Sequence, residues 1–254
     1  MSSSVANLLV RPASLPLSAA QRARRERGFF SAMALAATVA VVWGFAPTYF
    51  LKPLHGSRPL SALLHVHAAL FTTWMVLLLV QTALVATRNT RVHRRLGHVG
   101  VAIVPAMLVL GWMAGVDAAH RGSTIAGLAP EGFLVIPLAA IVVFSILAAS
   151  ALSLKRRPDY HKRLMLLATI ELCTAAIARI PFVAPYGPPG FFGVTDLFVV
   201  AMIAFDLTTL RKVHPATLWG GLLLIASQPL RLMIAGTGMW LAFAAIWPGP
   251  ATNR

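Results

Sequence analysis

Two stretches of this chain, RVHRRLGHVG (91–100) and RPDYHKRLML (157–166), each place a histidine ahead of two cations and a leucine. His93 and His161 occupy the matching positions. An imidazole near neutral pH can carry a proton, ligate a metal or take an axial place on haem iron. The chain has eight histidines, and they fall into two layers relative to its apolar runs. His55, His65, His67 and His120 lie toward one end of those runs; His93, His98, His161 and His214 lie toward the other. Two layers point to two redox or metal centres. A bis-histidine haem draws one imidazole from each of two helices. The pairs on offer are His93 or His98 with His161, and His67 with His120, and haem b is the cofactor they would take. The plainer reading of the inner histidines is an interfacial role beside cations. His65 and His67 diverge by about 160° on a helix and cannot share a metal.

A second chemistry lies inside the apolar runs. His67, Trp74 and Gln81 are spaced by seven, which brings them within about 40° of one another on a helix. That stripe should face the protein interior. Glu171, Arg179, Asp206, Gln228 and Arg231 are further polar residues in apolar surroundings. Intramembrane acids are common proton sites, so a proton-coupled carrier of small molecules is the second reading. Counted from the inner ends of the apolar runs, Glu171 lies about 10 Å deep, Asp206 about 6 Å, and Arg179 and Arg231 both about 22 Å. Two arginines at one depth call for an anion between them. Asp196, a small anionic ligand or a haem propionate would serve. A third reading makes the protein a non-catalytic partner or assembly factor of a membrane complex, with polar residues used for packing alone. No Walker loop, HExxH, GxSxG or strand-borne GxGxxG is present, so the sequence names no reaction. The single cysteine, Cys173, reads as a small core residue.

The elements that must position these groups follow from composition. The chain is 58% hydrophobic and 11% charged, against about 25% charged in soluble domains. Its apolar residues come in blocks of about twenty, enough to cross a hydrocarbon core of about 30 Å. Seven such segments can be drawn: 30–50, 61–87, 98–118, 132–153, 164–182, 194–210 and 216–247. The reading is an all-α bundle of seven transmembrane helices in one domain, 30–254, behind a flexible basic tail, 1–29. The last segment is too long for one straight crossing and holds Pro229, so a kink or a break is expected. Gly111 and Gly115 form a GxxxG, a signal of close helix packing.

Cations set the orientation, because Lys and Arg collect on the cytoplasmic side. Of 22 Lys and Arg, sixteen fall in the tail and in the turns at 88–97, 154–163 and 211–212, and four fall on the other side. That split places the N-terminus in the cytoplasm and the C-terminus in the periplasm. It also accounts for the net charge of +15 without a nucleic-acid partner; the expected surroundings are a lipid bilayer.

The stretches FAPTYFLKPL, HAALFTTWMVLLLVQTALVATRNTRVHRRLG, HKRLMLLATI and HPATLWGGLLLIASQPLRL together resemble an uncharacterised family of bacterial multi-span inner-membrane proteins. The resemblance runs from about residue 30 to residue 247 and implies an inner-membrane location. It brings no activity or cofactor. Helix number and histidine layering give a looser likeness, at the level of fold, to transmembrane b-type diheme cytochromes.

Overall fold

The structure, a computed structural model, describes residues 18–55, 59–123 and 128–247. Residues 1–17 of the expected tail, Arg58, Arg254 and the side chain of His55 lie outside the described residues.

Local chemistry at the helix starts defines the elements. Ser18 accepts from the Gln21 amide while the Gln21 side chain returns to the Ser18 N–H. This capping box opens α1, Ala19–Phe45. Ser61 caps α2, Ala62–Ala86, and Asn89 caps α3, Thr90–His120. A short α4, Pro130–Phe133, leads into α5, Val135–Ser153. Pro158 is the first residue of α6, Pro158–Ile177, where its missing N–H costs nothing. Then come α7, Gly187–Leu210, and α8, Pro215–Ala235. Thr237 caps the last helix, α9, Gly238–Ala244. The described residues are all-helical, and six helical stretches are long and apolar enough to cross a membrane.

The exception, α6, explains the arrangement. It packs against α1, α5, α7 and α8. Twelve of its twenty residues are buried, against four of twenty-five in α2. A helix wrapped by others has little need of lipid-facing apolar residues, so its charges are tolerated. α2 and α3 form a hairpin, with α3 leaning on α5. The backbones of α1 and α6 touch: a Cβ on Gly44 would stand 2.0 Å from the Ala176 oxygen. The GxxxG glycines of α3 face α5, Gly111 against Ile141 and Gly115 against Pro137 and Leu138.

Three expected boundaries move. Residues 19–29, assigned to a flexible tail, are the first turns of α1. α3 and α6 start eight and six residues before their apolar runs, at Thr90 and Pro158. The cause is common to all three: caps and a helix-starting proline begin a helix, whereas hydropathy registers only where it becomes apolar. The segment 216–247 breaks in two, at Gly236 and Thr237. Pro229 stays inside α8, where its lack of an N–H removes one bond of the helix ladder without ending it.

Candidate site: a basic-mouthed cavity and two buried ion pairs

The earlier start of α6 changes the depth of every group on it. Glu171 is thirteen residues past Pro158, about 20 Å along the axis, and Arg231 is sixteen past Pro215, about 24 Å. The two therefore share a layer. Arg231 Nη2 donates to Glu171 Oε1 at 2.6 Å and to Ser227 Oγ at 2.7 Å. Glu171 is 1% exposed and Arg231 2%. The expected anion between Arg179 and Arg231 is corrected accordingly: the partner of Arg231 is Glu171. Arg179 lies beyond the end of α6, with its guanidinium 5.0 Å from the centre of the Phe45 ring and a hydrogen bond to its own Ala175 carbonyl. Asp196 goes to Gln228, whose Nε2 donates to it at 2.8 Å.

A second buried pair ties α6 to α7. Arg163 donates to Asp206 through Nη2 at 2.5 Å and Nε at 3.1 Å. Thr217 Oγ1 (2.6 Å) and the His214 amide (3.1 Å) complete the carboxylate's partners. Arg163 and Asp206 are each 1% exposed. The sequence places Arg163 among the cations of the 154–163 turn; its position in the second turn of α6, set by Pro158, buries it instead. His214 is the N-cap of α8, and its Nδ1 accepts from the Ala216 amide at 3.1 Å. Burial, and then the nearby Arg163 guanidinium, hold the His214 imidazole below its ordinary range.

Two of the inner histidines, His93 and His161, line a cavity of about 770 Å³ among α1, α2, α3, α6 and the end of α5. Toward the helix middles its wall is apolar, made by Ala34, Trp74, Leu77, Leu78 and Leu166. Toward the helix ends it carries Arg27, Arg88, Arg94, Lys155, Lys162 and one acid, Glu26. Lys162 is engaged, at 2.7 Å from Glu26 and 2.8 Å from Asp159. Arg27, Arg88, Arg94 and Lys155 make no salt bridge among the described residues. Arg88 ends the α2–α3 turn in a left-handed conformation, φ 61°.

His93 and His161 stand together on this wall, ring centres 6.4 Å apart and planes at 86°. The imidazole of His161 is oriented by a 2.8 Å contact between Nδ1 and the Ala151 carbonyl. That carbonyl accepts only from a protonated Nδ1, so in the neutral ring the lone pair is on Nε2. His93 Nδ1 is buried and has no hydrogen-bond partner among the described residues. Gln81 Oε1, also on the wall, is buried without a partner. Trp74 closes the far end and donates Nε1–H to Thr169 Oγ1 at 3.1 Å.

The other expected ligands are elsewhere. His98 is exposed, with Nδ1 3.2 Å from the Arg95 carbonyl of its own helix. His120 Nε2 lies 2.9 Å from the Trp247 carbonyl, while His67 stacks on Phe71 at 4.1 Å. His67 and His120 thus have separate surroundings. Among the described residues no group of three His, Cys, Asp or Glu could hold a metal ion. Sequence reasoning missed Arg163 and Glu26. Glu26 had one signal: it is the first acid in the chain and sits among four arginines, 22–27. Compared with known proteins, the chain matches no family model, no curated protein and no solved structure.

Proposed function

We propose that this chain is a multi-pass protein of the bacterial inner membrane that binds an amphipathic anion at its cytoplasmic end. In this reading α6 is the seventh span, the N-terminus is cytoplasmic and the C-terminus periplasmic. The six apolar helices and the concentration of cations at one end support that topology. One observation carries the function: the cavity is apolar where it reaches into the bundle and holds at its mouth four cations that have no acidic partner among the described residues. Pockets of several hundred Å³ with apolar walls and a few convergent polar groups are the usual form of ligand sites. Basic pockets between membrane helices on the cytoplasmic side suit acidic head groups. The apolar body of such a ligand would lie against Trp74, Leu77 and Leu78, with its carboxylate or phosphate among Arg27, Arg88, Arg94 and Lys155.

The proton-coupled carrier is the weaker reading. Its two central acids, Glu171 and Asp206, are each closed by an arginine. Both carboxylates are held by hydrogen bonds inside the bundle, and neither lines the cavity.

The test is a thermal-unfolding titration of the detergent-purified protein with a long-chain fatty acid, an anionic phospholipid and the matched fatty alcohol. At a hundred times the dissociation constant a ligand adds about 2.7 kcal/mol of stability. The anions should stabilise and the alcohol should not. The double variant Arg88→Gln/Arg94→Gln should weaken anion binding at least tenfold. Equal effects of acid and alcohol, or no stabilisation by any anion including haem, would sink the reading.

A further inference from the structure

We infer that the anion this cavity is built for is a b-type haem, held axially by His93 and His161. The inference rests on the reading of the cavity as an amphipathic-anion site and names its ligand class. Three features of the wall select it.

The first is spacing. Two imidazoles on opposite sides of one metal, each nitrogen about 2 Å from it, have ring centres about 6 Å apart. The rings of His93 and His161 are 6.4 Å apart. They come from two helices, α3 and α6, as two axial ligands must. The second is donor count. With no third His, Cys, Asp or Glu at the pair among the described residues, a bare metal ion would lack a coordination shell. A metal that arrives with four equatorial nitrogens of its own needs only the two imidazoles. The third is orientation of the ligands. Metal-bound histidines commonly give their remaining N–H to a carbonyl. His161 makes that contact with Ala151.

The rest of the cavity fits the remainder of the group. A tetrapyrrole is apolar over most of its edge and carries two carboxylates on one side. The apolar wall and the four cations at the mouth provide for both. When bound, haem supplies one-electron chemistry at iron, ferric to ferrous. The chain's own part is to fix two imidazole nitrogens, exclude water with Trp74, Leu77 and Leu78, and anchor the carboxylates at the cytoplasmic mouth. His98, His67 and His120 have no part in it. The inference is therefore of one haem per chain at the inner face, in place of the two layers the sequence offered.

The experiment starts from protein expressed without added haem and titrated with hemin in detergent, followed by absorbance before and after dithionite. The expected result is saturation at one hemin per chain, a low-spin spectrum and a sharp reduced α-band. His93→Ala and His161→Ala should each lower hemin affinity at least tenfold and yield a high-spin spectrum, with added imidazole restoring the low-spin form. His98→Ala and His120→Ala should leave spectrum and stoichiometry unchanged. Because His161 also orients against Ala151, imidazole rescue of the His93→Ala protein separates ligation from folding. A hemin spectrum insensitive to both substitutions would overturn the inference. So would stabilisation by fatty acid or phospholipid with no hemin binding, an outcome that leaves the amphipathic-anion reading standing. Failure of hemin and of every other anion would remove both.

Discussion

The Glu171–Arg231 pair offers the sharpest test of how this bundle is held together. Replacing Glu171 by leucine removes the only carboxylate that, among the described residues, meets the Arg231 guanidinium, which is 2% exposed. Arg231 would keep the Ser227 hydroxyl and the face of Phe192, 5.9 Å away, but neither neutralises its charge. Breaking a buried pair from one side costs about 3–5 kcal/mol. With about 2–4 °C per kcal/mol for a chain of this size, the melting temperature should fall by roughly 6–20 °C. Cys173 is a built-in reporter, because it is the single cysteine and is fully buried two residues from Glu171. A thiol-reactive fluorophore in a temperature ramp reads the opening of the core directly. The double variant Glu171→Leu/Arg231→Met removes both charges and should recover most of the loss, since apolar replacement of a whole buried pair is often neutral. A single variant that loses under 1 kcal/mol, or a double variant no better than the single, would refute the claim that the charge, and not the packing, is at stake.

Other outcomes follow from the same geometry. Gly44→Ala should destabilise far more than Gly111→Ala in the same ramp. The first drives a methyl into the Ala176 backbone at 2.0 Å, whereas the second meets the movable end of Ile141. His214 caps α8 through an accepting Nδ1, so it must be neutral there, and its imidazole is held below the ordinary value of 6.5. Below about pH 6.5 the unfolded chain takes a proton that the folded chain refuses, so stability should fall from pH 7 toward pH 5. His214→Asn, a cap that does not titrate, should flatten that slope. Arg163→Met should strand Asp206 and cost about 3–5 kcal/mol; an unchanged melting temperature would contradict the burial of the pair. Reporter fusions at the C-terminus should be active as a periplasmic alkaline phosphatase and silent as a cytoplasmic fluorescent protein.

The helical class and most of the helices were legible because an apolar block of twenty residues has few other uses. The stripe of His67, Trp74 and Gln81 was legible in part: Trp74 and Gln81 do line the cavity, while His67 stacks on Phe71 farther along. The likeness of the two H-[R/K]-R-L stretches also located a real neighbourhood, since their histidines meet across α3 and α6. The ion pairs were not legible. Their partners are 43 and 60 residues apart, and depth was counted from the first apolar residue. On α6 that origin was six residues late, about 9 Å. One misplaced helix start was enough to put Glu171 and Arg231 in different layers and to leave Arg163 in a loop.

The polarity of α6 also bears on how the chain reaches the membrane. A charged side chain at a helix centre costs about 2.5–3.5 kcal/mol on insertion, and α6 carries two that are later buried, Arg163 and Glu171. Their partners are still unmade when α6 leaves the ribosome. At about 5–20 residues per second, the 60 residues to Arg231 take roughly 3–12 s. In the seven-span reading, α6 has to be retained beside α5 through that interval, and only the arrival of α7 and then α8 releases it. A nascent chain cut short before Asp206 should therefore hold α6 loosely enough for Cys173 to be labelled from water, and one extended past Arg231 should protect it.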